Sequence, residues 1–262
     1  MKKIDFILAG VGGQGTILAS NILTEVGLAL GYDVKKAEVL GMAQRGGTVE
    51  SHVRWGKKVY SPLIEQGEVD YLLGFEMLEA GRWPLYIKKG AMAIVNRYRI
   101  PPPAVNLGKA KYPRDEEIES LLKTAAGRVL WVDAMKIAGD LGNPAVAGVV
   151  LLGVLSLQVG GSLDTWLEVV QRLVPSKYQE LNKKAFFVNV AEAVQDGNGS
   201  LPADSTVDGI HLQKLACQQW LSYLKTHTVS SETAMQSQAG SNQSTAPAQI
   251  AGAPQPTADL AS

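Results

Sequence analysis

The stretch IDFILAGVGGQGT, residues 4–16, decides the fold of this 262-residue chain. Residues 4–9 are mostly apolar and have the length of a buried strand. Glycines at 10, 12 and 15 follow with the spacing G-x-G-x-x-G, and apolar residues three and four apart then continue to Leu30 before Gly31. The sequence therefore predicts a strand, a glycine-rich turn and a helix.

This turn has the chemistry of an anion site. Missing side chains let a ligand approach the backbone, and the amides of a helix N-terminus favour a negative group. The residues that we expect to contact a cofactor here are Gly10, Gly12, Gly13, Gln14, Gly15 and Thr16. A tight turn that binds nothing has the same pattern.

Glu38 lies about where a dinucleotide-binding fold places the acidic residue that holds a ribose. We therefore include Glu38 among the cofactor-binding residues, and a nicotinamide or flavin ligand fits this pattern. An ion pair between Glu38 and Arg45 or Arg54 is the alternative.

A second glycine-rich cluster spans residues 41–48, between a predicted strand at residues 33–39 and an alternating strand that begins at Val49. Arg45 offers a planar cation with several donors, which suits a carboxylate or phosphate, although a surface arginine in a turn is the alternative. The members of this cluster predicted to join the site are Gln44, Arg45, Gly46 and Gly47. His52 alternates with its neighbours on the strand and is predicted to be structural.

Strands and helices alternate along the chain, which predicts an α/β fold: a Rossmann-like, mainly parallel sheet with helices on both faces, plus a helical C-terminal part and a disordered tail. We expect a helix from Glu76 to about Ile87 and a buried apolar helix at residues 145–159. A last core helix should reach Val194, with residues 182–184 facing water. The predicted domains are residues 1–195, a linker and short amphipathic helix at 196–225, and a low-complexity tail at 226–262.

Composition excludes several classes of function. Lysine plus arginine and aspartate plus glutamate both number 25, so no net charge attracts nucleic acid or an anionic membrane. Cys217 is the one cysteine, which excludes a disulfide framework or a four-cysteine cluster within this chain. No metal-ligand spacing, catalytic triad or membrane-length apolar run is present, so we expect no catalytic residue, no metal site and a cytoplasmic location.

The two clusters together carry a family resemblance. GGQG at residues 12–15, Glu38, GMAQRGGTV at 41–49 and SHVR at 51–54 resemble the gamma domain of the 2-oxoacid:ferredoxin oxidoreductases. Within that family the likeness is greatest to the small (beta) subunit of the indolepyruvate type, and it covers roughly residues 1–195. The family also has polar residues near positions 145 and 148, where this chain has Ala145 and Gly148.

The resemblance implies a reaction and a set of partners. Such enzymes decarboxylate an aryl 2-oxoacid on thiamine diphosphate, pass two electrons through [4Fe-4S] clusters to ferredoxin, and release the acyl group to coenzyme A. It further implies that a larger alpha subunit carries thiamine diphosphate and the clusters, and that this chain is inactive alone. Coenzyme A is the co-substrate that its glycine turn and Arg45 would suit.

Two other functions fit the residues by themselves. A stand-alone Rossmann-like protein, or an NAD(P)- or flavin-dependent oxidoreductase, would use residues 10–15 together with Glu38. A purely structural assembly subunit would use the glycine clusters only as an interface.

Overall fold

The computed structural model describes residues 2–41 and 46–187. Within these residues six strands form one sheet. In chain order they are β1 (Ile4–Val11), β2 (Asp33–Leu40), β3 (Thr48–Gly56), β4 (Val69–Gly74), β5 (Ile87–Asn96) and β6 (Arg128–Val132). The α-helices of the described part are α1 (Thr16–Ala29), α2 (Met77–Ala80), α3 (Pro103–Asn106), α4 (Asp115–Ala125), α5 (Ala134–Asp140), α6 (Ala147–Val159), α7 (Leu163–Leu173) and α8 (Gln179–Phe186).

The sheet has the order β2-β3-β1-β4-β5-β6 and is mainly parallel, as predicted. β1, β4, β5 and β6 pair in parallel, whereas β3 is antiparallel to both of its neighbours. β2 and β3 form a hairpin because the connection at residues 41–47 is too short for the crossover that parallel strands need. β2 and β1 therefore run in the same direction, and their carboxyl ends share one edge of the sheet.

A cluster of aromatic side chains packs on one face of the sheet and joins it to its helices. The ring centroids of Phe6 and Trp55 lie 4.8 Å apart, and Trp55 contacts Trp166 of α7 at 6.5 Å. Gly27 of α1 makes room for this cluster, since a Cβ there would lie 2.4 Å from Nε1 of Trp55. The need for space beside Trp55, rather than a backbone turn, explains the glycine at position 27.

The opposite face carries a second core, between the sheet and helices α2 and α4. Its members include Ile7, Leu72, Met77, Ala80, Ile118 and Leu122. Helices thus cover both faces, which confirms the predicted architecture.

The helix predicted from Glu76 to about Ile87 is wrong in its length. α2 spans Met77–Ala80, a 3-10 turn spans Pro84–Tyr86, and β5 begins at Ile87. Pro84 is the physical reason, because it lacks the amide that would bond to the carbonyl of Ala80 and its ring clashes there.

The predicted apolar helix is present as α6, and it is a core helix. Every residue from Ala147 to Ser156 is buried. Gly153 allows the approach of α8, because a Cβ there would lie 2.3 Å from the carbonyl oxygen of Phe186. No helix of the described residues is long and apolar enough to cross a membrane.

The last described helix differs from expectation at Asn182. Residues 182–184 were expected to face water, yet Asn182 is only 5% exposed, and its Nδ2 donates to the carbonyl oxygen of Tyr178 at 2.9 Å. A satisfied amide can be buried at small cost, which polarity alone does not reveal. The segments predicted at residues 188–194, 196–225 and 226–262 lie outside the described residues.

Candidate functional site

The two glycine-rich turns meet at the carboxyl edge of the sheet. The amide of Gly12 donates to the carbonyl oxygen of Gly47 at 2.8 Å, and that of Gly41 donates to the carbonyl oxygen of Thr48 at 2.9 Å. The hairpin β2–β3 brings them together, since it places the end of β2 at the same edge as the end of β1. Segments some thirty residues apart therefore form one backbone surface.

The first turn leaves the N-terminus of α1 open. Gly13 has φ 104° and Gly15 has φ 80°, a backbone conformation that favours glycine. Within the described residues no side chain caps α1, and its first turn holds no acidic residue. The first amides of a helix lack partners in that helix, so those of α1 are available to an anion.

Thr16 begins α1 and points inward. It is 2% exposed, and its Oγ1 has no hydrogen-bond partner among the described residues. A Cβ at Gly10 would lie 2.7 Å from that oxygen. Gly10 was predicted to contact a ligand, but its missing side chain instead allows the strand, turn and helix to pack closely.

The side chain of Gln14 makes two hydrogen bonds that help to hold the turn in place. Its Oε1 accepts a hydrogen bond from the amide of Val11 at 2.8 Å, and its Nε2 donates to the carbonyl oxygen of Phe75 at 2.9 Å. Phe75 follows β4, so this side chain ties the turn after β1 to the end of the neighbouring strand.

Asn96 is a site residue that the sequence analysis missed. It ends β5, is 2% exposed, and donates from Nδ2 to the same carbonyl oxygen of Phe75 at 3.1 Å. The available signal was a polar residue at the carboxyl end of an apolar strand, where α/β sheets place ligands.

A crevice of about 350 Å³ opens beside the first turn, at the carboxyl ends of β1, β4 and β5. Its wall combines the glycine turn and Asn96 with apolar side chains such as Met135 and Leu151. Ala145 also lines it, and Gly148 packs next to it, since a Cβ on Gly148 would lie 2.9 Å from the ring of Phe75. Ala145 and Gly148, where the resemblance implied polar residues, thus keep the crevice apolar.

Glu38 lies on the α1 face of the sheet and is already paired. Its Oε1 accepts from Nζ of Lys36 at 2.7 Å and from Oγ of Ser20 at 3.0 Å. The predicted alternative of an ion pair with Arg54 is wrong, because Arg54 pairs with Asp5 at the opposite edge of the sheet. No ligand contact of Glu38 is needed to explain its position.

Acidic side chains lie on the other face of the same edge. Glu79 is 4% exposed, and burial raises the pKa of its carboxyl group. Burial also raises the pKa of Glu50, and the charge of Glu79 adds to this effect. An anionic ligand would be repelled on that face, so the crevice on the α6 face is the better anion site.

His52 is structural, as predicted. It is 5% exposed, its Nδ1 accepts from the amide of Ile64 at 3.2 Å, and burial lowers its pKa. It is thus a neutral hydrogen-bond acceptor within the core.

Of the second cluster, Gly46 and Gly47 lie at the site, and Gly46 has φ 78°. The predicted site residues Gln44 and Arg45 lie outside the described residues. Across the described ranges, no group of three or more His, Cys, Asp or Glu side chains is arranged to hold a metal ion.

Known proteins resemble this chain over its described part. The sequence model of the family "Pyruvate ferredoxin/flavodoxin oxidoreductase" matches residues 5–188. The indolepyruvate oxidoreductase subunit IorB of Pyrococcus horikoshii is 40% identical over 196 residues, which cover 74% of this chain and 97% of that protein.

Solved structures share the fold. The gamma subunit of a keto/oxoacid ferredoxin oxidoreductase from Geobacter sulfurreducens has a TM-score of 0.51 at 24% identity, covering 70% of this chain and 94% of that one. A 2-oxoglutarate:ferredoxin oxidoreductase from Magnetococcus marinus, solved with 2-oxoglutarate, coenzyme A and succinyl-CoA bound, has a TM-score of 0.52 at 19% identity. That match covers 71% of this chain and 30% of the other.

Proposed function

The chain belongs to the pyruvate ferredoxin/flavodoxin oxidoreductase family, and we propose that it is the small, gamma-type subunit of an indolepyruvate oxidoreductase. The complex would oxidatively decarboxylate an aryl 2-oxoacid, with an iron–sulfur protein, ferredoxin, as electron acceptor. The 40% identity to IorB, over nearly that protein's whole length, supports the indolepyruvate type.

The redox groups belong to a partner in this proposal. Four thiolates are needed for a [4Fe-4S] cluster, whereas this sequence holds one cysteine, at position 217. The residues of this chain therefore do not fit a cluster. We assign the clusters and thiamine diphosphate to a larger alpha subunit.

We assign to this chain the binding of coenzyme A, the co-substrate that accepts the acyl group. This assignment rests on the hydrogen bond from the amide of Gly12 to the carbonyl oxygen of Gly47. That bond joins both glycine turns beside the open N-terminus of α1. Backbone amides there suit phosphate groups, and the apolar crevice next to them suits an extended thiol-bearing arm. Arg45, from the sequence, would add a cation to the phosphate end.

Gly13 offers the sharpest test of this assignment. It is exposed, and a Cβ there would meet nothing within 4 Å, so a new side chain has space and strain comes only from φ 104°. In the complex with the alpha subunit, Gly13→Asp should raise the KM for coenzyme A at least about tenfold, because a carboxylate repels phosphate at short range. Gly13→Asn, which has nearly the same shape and tolerates this φ, should raise it much less.

Steady-state kinetics with indolepyruvate and varied coenzyme A measure this difference. Arg45→Ala should also raise the KM for coenzyme A. An equal KM for Gly13→Asp and Gly13→Asn would reject coenzyme A binding at the turn. If Arg45→Ala weakens subunit association before it changes turnover, the turns act as an assembly interface instead.

The dinucleotide alternative has less support. Its acidic ribose partner would be Glu38, whose carboxylate is held by Lys36 and Ser20 on the α1 face of the sheet. Titration of the purified chain with NADH, followed by nicotinamide fluorescence, distinguishes the two: saturable binding at micromolar concentration would favour the dinucleotide.

A further inference from the structure

The carbonyl oxygen of Phe75 accepts hydrogen bonds from two side-chain amides. Gln14 approaches it from the turn after β1, with Nε2 at 2.9 Å, and Asn96 approaches from the end of β5, with Nδ2 at 3.1 Å. The amide of Phe75 itself donates to the carbonyl oxygen of Ala9 at 2.8 Å. Three strand ends therefore converge on one backbone residue.

Both side chains are fixed in orientation by what they accept. Oε1 of Gln14 accepts from the amide of Val11 at 2.8 Å, and Oδ1 of Asn96 accepts from the amide of Met135, in α5, at 3.4 Å. Rotating either amide by half a turn would place oxygen against oxygen and nitrogen against N–H. The result is one chain of hydrogen bonds between the glycine turn and α5, and both of its halves donate towards the carbonyl oxygen of Phe75.

This chain of bonds forms part of the crevice wall. Gln14, Phe75, Asn96 and Met135 all line the crevice, together with Gly12 and Gly13. The donors of both amides point at protein rather than at the cavity, and Asn96 is 2% exposed. Each amide donates one hydrogen bond to the wall and accepts one from it, so both side chains fix the shape of the wall that a ligand would meet.

Close packing around Phe75 explains why small shifts matter. A Cβ on Gly10 would lie 2.8 Å from Cβ of Phe75, and a Cβ on Gly148 would lie 2.9 Å from its ring. Phe75 therefore has little room between the end of β1 and α6. Movement of its backbone would displace both the glycine turn and the start of α6.

We propose that Gln14 and Asn96 are positioning residues whose shared hydrogen bonds to Phe75 hold the crevice in its binding shape for coenzyme A. The inference rests on the proposed function, because it concerns the same ligand. The two amides would affect the affinity for coenzyme A through Phe75, a residue that lies in neither glycine turn.

The test uses neutral replacements of similar size, Gln14→Met and Asn96→Leu, in the assembled complex. Each removes the donor to Phe75 without adding charge, so repulsion of the ligand is not a factor. We expect the KM for coenzyme A to rise about tenfold in each, the value that corresponds to one lost hydrogen bond. The KM for the 2-oxoacid and kcat at saturating coenzyme A should stay within about twofold.

Both replacements act on one acceptor, so the double variant should raise the KM by less than the product of the single effects. Asn182→Leu is the matched control. It removes a buried amide of α8 that donates to the carbonyl oxygen of Tyr178, outside the crevice lining, and should leave the KM for coenzyme A unchanged. Gln14 is only half-buried, so Gln14→Met keeps the test open if Asn96→Leu does not assemble.

Two results would overturn the inference. One is an unchanged KM for coenzyme A in Gln14→Met and Asn96→Leu while Gly13→Asp still raises it, which leaves the proposed function standing. The other is a rise in both KM values together with a fall in kcat, shared by Asn182→Leu, which would mean a general loss of folding. If Gly13→Asp has no effect either, the proposed function itself fails.

Discussion

The two edges of the sheet are built from different chemistry. At the amino edge, charged side chains pair with one another: Asp5 with Arg54 and Lys3, Asp33 with Lys35 and Lys58, and Asp70 with Lys88. At the carboxyl edge on the α6 face, the connections are neutral amides, backbone groups and glycines.

This difference separates structure from function. Charges at the amino edge form ion pairs within the chain, so these side chains already have partners. Neutral connections at the carboxyl edge fix the backbone without placing a charge in the crevice, so the glycine turn before α1 lines a mainly apolar space. An edge of the second kind suits an anionic ligand from outside the chain.

Removal of the central cation of the amino edge is expected to have the largest effect. Asp5 has a side chain 0% exposed and pairs with Nε of Arg54 at 3.0 Å. Arg54→Met would leave this carboxylate buried with only Lys3, whose side chain is 49% exposed, so the free energy of unfolding should fall by about 3 kcal/mol.

Urea unfolding of the full chain measures this loss. Lys3→Met, at the exposed partner of the same carboxylate, is the control and should cost about 1 kcal/mol or less. Equal costs for the two variants would contradict the assignment of Arg54 as the main partner. Neither variant should change the KM for coenzyme A if the two edges have separate roles.

The two edges should also respond to pH with opposite signs. Hydrogen bonds from Lys35 and from the amide of Val59 lower the pKa of Asp33 to about 2, from 3.8. Its contribution is present above pH 3.8 and lost as the pH falls towards 2. Burial instead raises the pKa of Glu79 above 4.5, so its contribution is present below pH 4.5 and lost as the pH rises.

Isosteric amides isolate the two contributions. Asp33→Asn should flatten the dependence of unfolding free energy on pH between about 2 and 4, and Glu79→Gln should flatten it above pH 4.5. Denaturant midpoints over a series of buffers measure both. A steeper curve above pH 4.5 in Glu79→Gln would contradict the sign assigned to the carboxyl edge.

The smallest effect is expected at an exposed pair of the amino edge. Lys3 and Glu68 lie 2.8 Å apart, with side chains 49% and 45% exposed. Glu68→Gln should change the free energy of unfolding by about 0.5 kcal/mol or less, because water screens such pairs. If Glu68→Gln lowered the free energy of unfolding as much as Arg54→Met, solvent exposure would not predict how much each ion pair of this edge contributes to stability.

Much of the fold and part of the site were predictable from the sequence. The strand, turn and helix at residues 4–30 are present, and the sheet is mainly parallel. The resemblance to the oxidoreductase family is confirmed. The meeting of the two glycine turns was also predicted, because strands that run in the same direction bring their carboxyl ends to one edge.

Other features were not predictable from local pattern. The sequence placed Glu38 beside a ribose or an arginine, yet Lys36 and Ser20 hold it. Asn96 was missed because one polar residue after an apolar strand has many ordinary explanations. The roles of Gln44 and Arg45 stay predictions.

By itself the sequence determined the order of strands and helices, the two glycine turns and the family, because backbone freedom and apolar periodicity are properties of neighbouring residues. Only the tertiary structure decided which groups those turns meet. The donor of Gln14 reaches Phe75, 61 residues away, and Asn96 reaches the same oxygen from a third strand. Periodicity assigns a side chain to a face of the sheet, but its partner across that face depends on strand order and register.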